Sequence, residues 1–137
     1  MSRPQPAVVL DTNVFVAAGF RSTSNAGRLV AAVRERRLRM VWNRATRRET
    51  RRILEQIPPL AWSDVEELFR PEAEHRGPVH PERFLSVPDP EDRKFAALAH
   101  ATGAILVSTD SDLLANPQRL DILVLTPTEF LAEAMPR

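Results

Sequence analysis

The chain has 137 residues, no cysteine and a net charge of +1. That is enough length for one domain with its own core, and it excludes disulfides and thiolate metal sites. No apolar run approaches a membrane span, and the opening Met-Ser-Arg-Pro-Gln-Pro precedes Asp11 without an apolar stretch. The expectation is a soluble, cytoplasmic, single-domain protein over residues 1–137, with residues 1–6 as a loose lead-in. The charge is uneven. Arg28 to Arg52 hold ten arginines against Glu35 and Glu49, a local +8 against −7 for the remainder. Such a block suits a phosphate backbone, an acidic partner or a solvated helix face equally.

In chain order, Ala7 to Leu10 reads as a strand. Val8, Val9 and Leu10 show no alternation, so both faces should be buried, as in a parallel sheet. Asp11 ends that strand, where open α/β sheets bind ligands and where a following helix is capped. Ser24 caps a helix predicted to reach about Arg37, with Ala26, Leu29, Val30 and Val33 on its apolar face. Leu38 to Trp42 reads as a second strand. A helix from about Ala45 to Gln56 is stopped by Pro58-Pro59. Ser63 and Glu66 form the capping-box pattern for another helix, carrying Val65, Leu68 and Phe69 inward and fading towards Pro71. Residues 71–90 hold five prolines and read as an irregular excursion, with a short strand around Phe84-Leu85. Asp89 or its neighbours open a helix to Thr102 with Pro90 at its first position, and Gly103 follows as its terminator. Ala104 to Ser108 is a buried strand leading to Thr109-Asp110. A turn or short helix over Ser111 to Ala115, a strand over Ile122 to Leu125 and a helix from Pro127 with Phe130, Leu131 and Ala134 inward complete the chain. The alternation predicts an α/β domain with a mainly parallel central sheet and right-handed crossovers.

Four carboxylates stand out. Asp11 and Asp110 each follow a run of apolar strand residues, which places both at one edge of a parallel sheet. Asp92 shares a helical face with Phe95 and Ala99, and Glu49 one with Ala45 and Ile53. Carboxylates on core-facing stripes are costly unless something pairs them. Arg48 and Arg52 lie near Glu49 along its helix but face it only in part. A divalent cation would pair several carboxylates at once, and oxygen-only ligands point to Mg²⁺ or Mn²⁺ rather than zinc. Such a site activates water and stabilises charge on a phosphodiester. The plainer readings are a capping Asp11, a first-turn Asp92, a salt-bridged Glu49 and a turn made by Asp110 and Asp112. Asp89, Glu91 and Asp92 compete for the third position; helical phase with Phe95 favours Asp92, while Asp89 suits a cap. His75, His80 and His100 have no ligand spacing, and Trp42 and Trp62 read as packing residues.

The ordered set resembles the PIN-domain family, which includes the VapC-like toxins of toxin–antitoxin pairs. The segments that carry the likeness are Val-Leu-Asp11-Thr-Asn, Glu49 in Arg-Arg-Glu-Thr-Arg-Arg-Ile-Leu, Asp89-Pro-Glu-Asp92-Arg-Lys-Phe and Ser-Thr109-Asp110-Ser-Asp112-Leu-Leu. The resemblance runs from about Val8 to Phe130. It implies a three-layer α/β/α domain and a metal-dependent ribonuclease. Asp11, Glu49, Asp92 and Asp110 would be catalytic and would hold Mg²⁺ or Mn²⁺, directly or through water, with Asp112 as a further ligand or supporting acid. Thr12, Asn13 and Thr109 would orient carboxylates or water. The arginine block, chiefly Arg44, Arg47, Arg48 and Arg51, would approach the RNA backbone. The resemblance also implies a homodimer and an antitoxin protein that blocks the groove, with no membrane involved. The alternative is a non-catalytic PIN-like module that binds RNA or a partner.

Overall fold

The computed structural model describes residues 5–115 and 120–135 and, within these, every side chain but those of Asp112 and Ala115. The strand β1 (Ala7–Leu10) lies second in a four-stranded parallel sheet ordered β2-β1-β3-β4. Its neighbours are β2 (Arg39–Met40) and β3 (Ile105–Val107), and β4 (Val124–Leu125) lies beyond β3. Val8 pairs with both Met40 and Ile105, and Leu10 pairs with Val107. The absence of alternation in β1 now has its cause. Val8 and Leu10 pack into one core with Val14, Phe15, Leu29 and Val33. Val9 packs into a second core with Phe95, Leu98 and Leu106. Successive strand residues point to opposite faces, so a sheet covered on both sides needs apolar residues at every position.

The first face is covered by α1 (Thr12–Phe20), α2 (Asn25–Arg34) and a closing helix, α6 (Pro127–Glu133). The helix α4 (Arg93–Thr102) covers the second. Between them, α3 (Arg44–Glu55) touches both α1 and α4. The short α5 (Ser111–Ala115) follows β3. This is the three-layer α/β/α arrangement that the sequence implied. Gly27 permits the close approach of α2 to its own lead-in, because a Cβ there would lie 2.1 Å from the Ser22 carbonyl oxygen. Gly103 ends α4 in the left-handed conformation, φ 73, which glycine adopts without penalty.

Several boundaries differ from expectation. Ser24 does cap α2, accepting from the Gly27 N–H at 3.0 Å, but the helix stops at Arg34 and Arg36 turns to φ 63. The second strand is only two residues long, because Trp42 pairs with Glu74 from the excursion instead of with β1. The helix predicted from Ser63 does not form. Two 3₁₀ turns, Trp62–Asp64 and Glu66–Leu68, take its place, and Ser63 caps neither. The segment between Pro59 and Pro71 is too short to hold a helix by itself. It bends so that Phe69 packs with Phe15, Trp42 and Trp62 at ring separations of 5.0 to 5.8 Å. No strand forms at Phe84-Leu85; a 3₁₀ turn over Pro81–Phe84 buries Phe84. Among the described residues no helix is long and apolar enough to cross a membrane.

Candidate active site

Asp11 is buried at the end of β1 and serves as the N-cap residue of α1 without making a side-chain capping bond. Its Oδ2 accepts instead from the Ser108 hydroxyl at 2.8 Å. Ser108 Oγ in turn accepts from the Asp110 N–H at 2.9 Å. One buried hydroxyl thus ties the ends of β1 and β3 together and fixes the Asp11 carboxyl against the Asp110 backbone. Burial pushes the Asp11 carboxyl above the usual carboxylate range, opposed by the Ser108 hydrogen bond and by the nearby Thr12 and Asn13 N–H groups. Among the described residues, no arginine or lysine pairs with Asp11 or Asp92.

Asp92 closes the 3₁₀ turn Pro90–Asp92 that leads into α4. Its carboxyl is pushed up to about 8, first by burial, then by the charge of Asp11 and by a side-chain hydrogen bond with Asp110, with the charges of Asp110 and Asp89 adding to these. Its Oδ2 is buried and has no hydrogen-bond partner. Asp89 is the exposed cap of the turn, accepting from the Glu91 N–H at 2.9 Å. The division of labour read from helical phase, Asp92 inward and Asp89 capping, matches this geometry. Asp110 also receives the Leu113 N–H at 3.3 Å and so opens α5.

Glu49 is buried too, but on different terms. The stripe that carries it inward is Thr46, Glu49, Thr50 and Leu54. Ala45, which sequence spacing placed on that face, is exposed, and Ile53 is half-buried. The helix is set by the box at Asn43, whose Oδ1 accepts from the Thr46 N–H at 2.9 Å while Thr46 Oγ1 accepts from the Asn43 N–H at 3.1 Å. Glu49 Oε1 accepts from Arg52 Nη2 at 2.6 Å, and Oε2 faces Lys94 Nζ at 3.3 Å. Lys94 also donates to Glu91 Oε2 at 2.7 Å. That hydrogen bond is the largest cause holding Glu91 below the usual carboxylate range.

The remaining expected residues divide. Thr12 is buried, with its hydroxyl 3.0 Å from that of Thr50 and not on an acid. Asn13 and Thr109 are exposed. Ser108, one residue before Thr109, holds the supporting position instead. The Asp112 side chain lies outside the described residues. Arg44 and Arg48 are exposed. Arg47 and Arg51 sit over the Trp62 ring at 5.1 and 6.0 Å, and Arg51 also pairs with Glu55 at 2.6 Å. Arg34 pairs with Glu67 and Arg36 with Glu72, so the 64–74 segment neutralises part of the arginine block from within the chain. Sequence reading missed Ser108 and Lys94. The signal for Lys94 was its uniqueness, one lysine beside eighteen arginines.

The donors available for a cation are all carboxylate oxygens, which suits Mg²⁺ or Mn²⁺. Among the described residues no three His, Asp or Glu side chains stand together as a ready-made metal site. The orphaned Asp92 oxygen and the mutual repulsion of Asp92 with Asp11 and Asp110 nevertheless fit a cation, which would satisfy the first and relieve the second. An apolar cleft of about 300 Å³ between α1, α2 and residues 59–65 contains none of the four acids.

A parallel α/β/α sandwich with carboxylates gathered at the carboxyl ends of its central strands defines a class of site. Residues 7–112 match the PIN domain family, and the chain belongs to it. Two solved structures are similar in fold. FitAB bound to an IR36 DNA fragment matches with a TM-score of 0.58 at 14% identity, covering 88% of this chain and 94% of that one. FitAcB from Neisseria gonorrhoeae matches with the same score and identity, covering 88% of this chain and 98% of that one. No curated protein matches the chain.

Proposed function

We propose that the protein is a divalent-metal-dependent ribonuclease acting as the toxin of a toxin–antitoxin pair. PIN domains are generally nucleases, and the observation that carries the finer reading is Asp92. Its buried, unpartnered Oδ2 and raised proton affinity, beside the charges of Asp11 and Asp110, support a cation here, since among the described residues no arginine or lysine pairs with it. Asp11, Asp92 and Asp110 would hold Mg²⁺ or Mn²⁺, with Glu49 as the fourth acid of the set. A bound ion would supply a water of lowered pKa and charge stabilisation at the phosphate. The chain's own work is positional. Ser108 holds Asp11 at a fixed angle, and the Asp110 N–H holds Ser108. Burial of Asp11 and Asp92 keeps bulk water from their inner oxygens. Exposed Arg44 and Arg48 offer contacts to the RNA backbone. An antitoxin protein and a homodimer complete the proposal by family resemblance.

The test is cleavage of a structured RNA mixture with Mn²⁺, with Mg²⁺ and with EDTA, beside an Asp11→Asn variant of equal thermal stability. Metal-dependent cleavage that the variant loses is expected. Cleavage unaffected by both EDTA and the substitution would overturn the assignment. One observation favours a second reading: Glu49 is already occupied by two cationic side chains, which suits a non-catalytic RNA- or partner-binding module. A folded protein that binds Mn²⁺ without cleaving any RNA offered would support that alternative.

A further inference from the structure

The four acids are divided by the first turn of α4. Asp92 precedes the helix and interacts with Asp11 and Asp110. Two residues later, Lys94 points to α3 and reaches Glu49. Its side chain is only 22% exposed, and its ammonium is placed between Glu49 Oε2 at 3.3 Å and Glu91 Oε2 at 2.7 Å. The other Glu49 oxygen is held by Arg52 at 2.6 Å. Both oxygens of this buried carboxylate therefore already face a positive charge.

We propose that Lys94 is a built-in cation that holds Glu49 out of the metal's reach, so that the site takes one divalent ion, on the Asp11, Asp92 and Asp110 side. The proposal rests on the metal-dependent reading above. Its physical basis is the geometry of competing cations. Two-metal sites place their ions about 3.5–4 Å apart with carboxylates shared between them. A second divalent ion on Glu49 would stand within a few ångströms of the Lys94 ammonium and would have to expel it from its paired position. The residue type fits the task. An ammonium is a compact point charge with three donors and can lie between two carboxylates, whereas a guanidinium is a broad planar fork. Every other cationic side chain bar histidine is arginine, and the one lysine stands where two carboxylates converge. Lys94 is a positioning residue in this scheme. It acts on the metal through Glu49.

The experiment counts ions. Full-length protein is titrated with Mn²⁺, with free Mn²⁺ followed by electron paramagnetic resonance and heat by calorimetry. The wild type is expected to bind one ion per chain. Lys94→Met, which removes the charge and keeps the stem, is expected to bind two. Adding Glu49→Gln to Lys94→Met should return the count to one. Two ions on the wild type, or one on Lys94→Met, would overturn the proposal. A wild type that binds none would instead overturn the metal-dependent reading on which it rests. Should Lys94→Met fail to fold by circular dichroism, Glu49→Gln alone decides. The proposal requires Mn²⁺ affinity within about threefold of wild type, and a loss of more than about tenfold, the range seen on disturbing groups close to a metal, would defeat it.

Discussion

The α3 side and the sheet side of the molecule treat the same functional group in opposite ways. On the α3 side, Glu49 is buried and held by Arg52 and Lys94. On the sheet side, Asp11 is buried and Asp92 half-buried with its Oδ2 enclosed; among the described residues no arginine or lysine pairs with either, and both bind protons more tightly than free carboxyls do. Burial alone therefore does not distinguish a structural acid from one that awaits a ligand. Pairing does. A paired buried carboxylate is complete within the chain. An unpaired one raises the energy of the metal-free protein and gives that energy back when a cation arrives.

The sharpest way to break this contrast is Asp92→Asn. Cleavage should fall by about a thousandfold or more, as expected when a cation supplying several kcal/mol of transition-state stabilisation is lost. The metal-free variant should nevertheless melt no lower than wild type at pH 8, because the change removes a repelled charge. A lower melting temperature would show that Asp92 stabilises the fold after all. The next effect is one of pH. The Asp92 carboxyl binds its proton more tightly in the folded chain than in the unfolded one, so protonation favours folding. Its contribution is complete below its ordinary value of 3.8 and is lost as pH rises through about 8. In EDTA the melting temperature should decline across that window, and saturating Mn²⁺ should reverse the decline. A flat profile in EDTA would erase the difference between the two sides.

Smaller effects sharpen the picture within the sheet side. Ser108→Ala removes the one side-chain donor that Asp11 has among the described residues. Cleavage and Mn²⁺ affinity should each drop about ten- to hundredfold, with a stability cost of about 1–2 kcal/mol in urea unfolding. Wild-type Mn²⁺ affinity in that variant would assign Ser108 to folding alone. Thr50→Val is the mildest. It breaks the buried bond to the Thr12 hydroxyl, which should cost about 1 kcal/mol and leave the cleavage rate unchanged. A large rate loss would move Thr12 and Thr50 into the site's support.

Much of this was legible in the chain itself. The runs Val8-Val9-Leu10 and Ile105-Leu106-Val107 announce doubly covered strands, and each leads into an acid, so the sheet edge and the place of Asp11 and Asp110 at it follow from one pattern. Glu49 was found by the right argument on the wrong neighbours. Its buried stripe includes Thr46, whose hydroxyl pairs with Asn43, and Thr50, whose hydroxyl meets that of Thr12, and hydropathy spacing does not register threonines as core. The Ser63 capping pattern misled because aromatic packing around Phe69 outweighs a cap on so short a segment. The contacts of Lys94 and Ser108 were illegible for another reason. Their partners lie 45 and 97 positions away, and no local pattern encodes a contact across elements.

That last separation has a consequence for how the chain comes into being. β1 is made early, yet its neighbour β3 and the hydroxyl that holds Asp11 are made 97 residues later. At about 5–20 residues per second, the interval is about 5–20 s. Through that time the nascent chain carries Asp11 without Ser108, and Glu49 without Lys94 for nearly half of it. An interrupted chain therefore bears the first acids in isolation, and translation itself delays the assembled site until most of the polypeptide exists.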